Sequence, residues 1–138
     1  MNFQTKRQFY AIISLEYRGF ERWRKVPRMA DPRALNLIQE ERILEFNNLV
    51  EASNGEVDLT GSHLRGYDLR KCKLRKADLT GAYLRSSDLR SVDLSEAKLD
   101  GASIKEAKVS GTLFPRNLPP AEIALSLEYG TRLRVNLD

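Results

Sequence analysis

The chain has one cysteine, Cys72, and one histidine, His63, among 138 residues. A single thiol excludes an internal disulfide framework and points to a reducing compartment. One cysteine with one histidine falls short of a zinc site, whose four ligands come largely from those two residue types. No uninterrupted apolar run approaches the ~20 residues of a membrane-spanning helix. Lys6 and Arg7 precede an apolar stretch from Phe9 to Leu15, but Glu16, Tyr17 and Arg18 interrupt it and no small-residue cleavage site follows. The expected location is therefore cytoplasmic rather than exported. Glycine-rich phosphate loops and dinucleotide fingerprints are missing as well. These absences predict a non-enzymatic chain with no metal and no cofactor.

What the chain does have is a five-residue repeat from Val57 to Gly111. Its centres run Leu59, Leu64, Leu69, Leu74, Leu79, Leu84, Leu89, Leu94, Leu99, Ile104 and Val109, and Phe114 takes the next central position. Two residues before each centre stand mostly small residues such as Ser62, Cys72, Ala77, Ala82, Ser87 and Ala97. A period of five fits neither a helix nor a flat strand, so the repeat itself is the structural unit. Centre and minus-two residues point to the same side of an extended segment. Both are therefore expected inside, with the centres as the core. That placement buries Cys72 and turns His63 outward, so the two cannot act as a Cys–His nucleophile pair.

Units such as Ala77-Asp78-Leu79-Thr80-Gly81 match the pattern A-[D/N]-L-x-x. Over about 55 residues, eleven units in register, the chain resembles the pentapeptide-repeat proteins. The resemblance implies an all-β solenoid, a right-handed quadrilateral β-helix with four units per coil. The best understood members imitate DNA, as dimeric acidic rods that occupy DNA gyrase. Here the repeat holds eleven basic and eight acidic residues, the wrong sign for presenting acid to a DNA-binding protein. Tyr67 is bulkier than its inward slot and predicts a local bulge, or a ring turned toward a cap.

Four segments follow along the chain. Residues 1–30 form a basic segment holding six of the eleven aromatics. Phe9, Ile13, Tyr17, Phe20 and Trp23 fit a helix, while Phe9, Ala11, Ile13, Leu15 and Tyr17 fit a strand. Residues 31–55 read as one capping helix from about Pro32 to Ala52, with Asp31 as N-cap and Asn54-Gly55 as stop. Its apolar face is Leu35, Ile38, Phe46, Leu49 and Val50. Residues 56–114 are the solenoid. Residues 115–138 form the C-terminal cap, where Pro115, Pro119 and Pro120 forbid further pairing. A helix from Pro120 to Tyr129 with Ile123, Leu125 and Leu127 stops at Gly130. Leu133, Val135 and Leu137 then alternate as a short edge strand.

With four units per coil, residues twenty apart stack, and outward charges sort onto faces. The first face, with Asp58, Asp78 and Asp100, is acidic. The third pairs Asp68 and Asp88 with Arg70 and Arg90, and the fourth mixes Lys73 and Arg75 with Asp93. The second carries His63, Arg65, Tyr83, Arg85, Ser103 and Lys105, without an outward carboxylate at a strand position. Arg65, Arg85 and Lys105 would stand ~5 Å apart along it. Repulsion at that spacing is relieved by an acidic partner, an anion or the nearby Glu106. Tyr83 adds an interface anchor or a surface for base stacking, and Arg70 and Arg75 extend the basic region. The leading expectation is a scaffold module that binds a protein partner through this surface. Nucleic-acid binding through the basic face and membrane association through residues 1–28 are the alternatives. Self-association through an end cap is a further expectation, since Phe114 and the last helix resemble end-to-end dimer contacts in the family.

Overall fold

A computed structural model describes residues 30–136. The aromatic segment before Ala30, with its alternative helix and strand forms, and Leu137 lie outside the described residues. Within them the order is α1 (Pro32–Gln39), α2 (Ile43–Ala52), β1 (Glu56–Asp58), β2 (Lys76–Asp78) and α3 (Pro120–Tyr129).

Asp31 caps α1, its carboxylate accepting from the Arg33 N–H at 3.0 Å. The single helix expected from Pro32 to Ala52 is in fact two. Glu41 turns the chain with φ of 60°, and the Arg42 N–H reaches back to the Leu37 carbonyl. The cause is chemical. Extending the buried face of Ala34 and Ile38 by three or four residues lands on Glu41 and Arg42, and charges resist burial. The chain leaves the helix there, Arg42 pairs with Glu40 and Glu45 in solvent, and α2 buries Phe46 and Val50.

The repeat winds in coils of twenty residues. β1 and β2 pair in parallel with Val57 opposite Ala77. Single parallel bridges at the same offset join His63 to Tyr83 to Ser103, Asp68 to Asp88 to Lys108, Asp78 to Lys98 and Asp93 to Leu113. Four five-residue units therefore make one coil of a β-solenoid. Only β1 and β2 run long enough to count as strands, because the chain turns again within each unit. Several of those turns use the left-handed region, including Gly81 and Gly101 with φ of 67° and 75°. There glycine carries no steric penalty, whereas Ser86, Ser91 and Glu106 adopt it with a side chain.

Leu59, Leu64, Leu69, Leu74, Leu79, Leu84, Leu89, Leu94, Leu99 and Ile104 fill the axis and are buried, while Val109 and Phe114 are partly buried. Ser62 and Ser87 sit inside and donate to the Leu59 and Leu84 carbonyls at 2.6 and 2.7 Å, so neither hydroxyl is orphaned. Tyr67 makes no slip in register. It is half-buried, and the Asp88 N–H still bonds its carbonyl at 3.0 Å.

Elements at both ends pair with open coil edges. The Asp31 N–H donates to the Asp58 carbonyl. The Asn47 amide donates to the Lys71 carbonyl and accepts from the Lys73 N–H, both at 2.8 Å. At the other end α3 spans Pro120 to Tyr129 and stops at left-handed Gly130, and its inward face is only partly apolar, with Ile123 and Leu127 packed against the core. Glu122 and Ser126 are buried and Leu125 is exposed. The reason is a hydrogen-bonding demand. The Ile104 N–H donates to Ser126 Oγ at 3.1 Å and the Glu106 N–H to the Leu127 carbonyl at 3.0 Å. Leu133 then pairs by main chain with Gly101 and Ala102, without a regular strand over residues 131–136.

Candidate interaction surface

The twenty-residue coil places His63 and Tyr83 at equivalent outward positions one coil apart. Their rings stack in consequence, with centroids 4.8 Å apart and planes within 3°. Leu133, held on the next coil, delivers Arg132 to the same place. Its guanidinium lies 5.1 Å from the Tyr83 ring centre and donates to the Tyr83 hydroxyl at 2.9 Å and to the Gly101 carbonyl at 2.8 Å. Imidazole, phenol and guanidinium thus form one ladder along the second face, a cation–π contact included.

Arg65, Arg85 and Lys105 line up beside that ladder. Glu106 approaches Arg85 at 3.5 Å, so this face is not purely cationic. Arg65, Lys105 and Arg132 have no carboxylate within ion-pair reach among the described residues. Lys105 is half-buried, its stem passing under Gly130.

Arg70 and Arg75 do not join this strip. Arg70 forks onto Asp68 at 2.9 and 2.8 Å and reaches Asp88 at 3.3 Å. Arg75 pairs with Glu96 at 2.8 Å, and Lys73 with Glu51. Both arginines are therefore locally neutralised. Cys72 is buried, and desolvation pushes its thiol up to about 12, the Asp68 charge adding to the effect. A neutral, enclosed thiol is a poor nucleophile, and His63 is stacked on Tyr83 instead of facing it.

The same ion pairs give the fold a pH dependence. Hydrogen bonds from Arg70 and Arg90 hold Asp68 and Asp88 down at about 2. The Ser95 hydroxyl and backbone lower Asp93, and Arg134 lowers Glu122. Depressed carboxylates stabilise the folded state above their unfolded values near ~4 and lose that contribution as pH falls through the folded ones. Thermal melts are expected to hold level from pH 7 to about 5 and to decline between about 4 and 2. The Asp68–Arg70 pair is exposed on both sides, so 0.5 M salt should shrink its share of the decline. An undiminished midpoint at pH 2.5 would show that the pairs contribute nothing.

Three participants were not visible in the sequence: Arg132, Glu122 and Ser126. The alternation around Leu133 hinted that its neighbours face outward, but nothing in it aimed Arg132 at Tyr83. Among the described residues, no helix is long and apolar enough to cross a membrane.

The family model for pentapeptide repeats matches residues 55–90 and 77–114, with eight copies of the repeat. No curated protein matches the chain. The five-residue register, the twenty-residue coil and this match agree, and residues 55–114 are a pentapeptide-repeat region.

Proposed function

We propose that this protein is a non-enzymatic scaffold that binds an acidic protein partner through the second face of its solenoid. The family consists in general of structural and interaction modules. The finer architecture belongs to the same proposal: a right-handed, four-sided β-helix over residues 56–114, capped by residues 31–55 and 115–138, working in the cytoplasm. The observation that carries it is the exposed His63–Tyr83–Arg132 ladder flanked by Arg65 and Arg85. An aromatic floor bordered by arginines is the composition of a binding hot spot. Nucleic acid is disfavoured as the partner. Tyr83 has His63 one coil below and Arg132 one coil above, which leaves its edge and not its face for a base.

Arg65→Glu combined with Arg85→Glu reverses the strip without touching the core. Pull-downs from cell lysate, compared by mass spectrometry, should lose the specific partner in the double variant and keep it in Arg116→Glu, a charge reversal off this face. Retention of every partner by the double variant would remove the second face from consideration.

A further inference from the structure

We propose that the second face docks an α-helix of its partner, one carrying carboxylates at i, i+3 or i+4, and i+7. The inference rests on the reading of this face as the interaction surface. Arg65, Arg85 and Lys105 hold one position in three successive coils, fixed by the bridges from His63 to Tyr83 to Ser103. Neighbouring coils lie ~4.8 Å apart, so this column of cations spans ~10 Å along the solenoid axis.

Two partner geometries can be laid against that column. Seven residues of α-helix rise ~10.5 Å, and residues at i, i+3 or i+4, and i+7 share one face. Three carboxylates on such a helix meet three cations within ~1 Å of register. An extended segment repeats its same-side residues every ~6.8 Å, so its third carboxylate falls ~4 Å out of step. Charge complementarity supplies the rest. Arg65 and Lys105 have no carboxylate of their own within reach among the described residues, and Arg85 has only Glu106 at 3.5 Å. Beside the column, the outward edges of the stacked His63 and Tyr83 rings meet the neighbouring side chains of the helix.

The test uses the full chain and two fluorescent synthetic peptides of identical composition and net charge. One places glutamates at i, i+4 and i+7 in an alanine-rich helical background. The other rearranges them to i, i+2 and i+4. Anisotropy titrations should give the first peptide at least about tenfold tighter binding, or ~1.4 kcal/mol. Arg65→Glu with Arg85→Glu should erase that difference while the melting curve stays unchanged. Equal affinities would overturn the helical assignment, as would tighter binding of a single-stranded oligonucleotide of equal charge. So would sedimentation showing that a second copy of the chain occupies the face. If neither peptide binds while the double variant still loses its partner from lysate, the docked-helix proposal fails and the face remains the interaction surface.

Discussion

Leu84→Ala is expected to lower the unfolding free energy by about 3–5 kcal/mol, the upper part of the range for emptied leucine sites. Leu84 is fully buried between Leu64 and Ile104, its equivalents one coil below and above. A cavity costs most where its walls cannot close in. Here the wall is main chain pinned on both sides: the Leu64 N–H bonds the Tyr83 carbonyl at 2.9 Å and the Leu84 N–H the Ser103 carbonyl at 2.8 Å. The missing methyl groups therefore leave a void. The corresponding drop in melting temperature is roughly 10–20 °C. Leu113→Ala, at a position 57% exposed, should change stability by less than about 0.5 kcal/mol. Urea titrations of both variants compare them directly. Similar midpoints would mean that the axis of the solenoid is not its main source of stability.

Ser126→Ala carries the second large effect, and its sign discriminates between two accounts of α3. Intrinsic propensity favours alanine over serine in a helix by a few tenths of a kcal/mol, so a helix held by propensity would gain. The hydrogen bond predicts the opposite. Ser126 is completely buried, and its Oγ accepts from the Ile104 N–H, itself inside the last coil. Alanine leaves that N–H unsatisfied away from water, at a cost of about 1–3 kcal/mol. Thermal melts should show the loss, and hydrogen exchange at the Ile104 amide should accelerate more than at Leu64, at the far end of the same face. A raised melting temperature would mean that propensity, and not this bond, decides how α3 sits.

The parts of the molecule legible in its sequence are those where one residue type answers one steric demand. The Leu centres and the small residues two before them declare an axis with little room, and the ladder offsets match the register read from them. α3 was legible in its bounds, since Pro120 and Gly130 punctuate it, but not in its orientation. Of its apolar residues, Ile123 and Leu127 pack against the core while Leu125 is exposed. The coil beneath presents main-chain N–H groups, and Ser126 turns toward it as an acceptor. The break at Glu41 was legible in principle, because two charges interrupt the Ala34–Ile38 face, yet the flanking apolar residues suggested continuity. The interaction surface divided the same way. Stacking at twenty residues followed from the repeat and brought His63 onto Tyr83. Arg132 depends on the main-chain pairing of Leu133 with Gly101 and Ala102, a contact between distant segments with no local signature. Glu106 sits at a corner and not on a strand position, and it still reaches Arg85.

A coil of twenty residues built from units of five also gives the molecule a phase, as a thread gives one to a screw. Twenty residues inserted between Gly81 and Ala82 would lengthen the stack and bring every later side chain back to its original bearing. Five residues inserted there would turn everything beyond them by a quarter of a coil. Leu133 would still find its partners, Gly101 and Ala102, because they turn with it. Arg132 would keep Tyr83, which turns with it, but both would arrive over a different side of the first coil, and His63 would lose the ring stacked on it. Change in length is thus cheap in whole coils and disruptive in fractions of one, and the bearing of the C-terminal segment relative to the first coil is set by unit number alone.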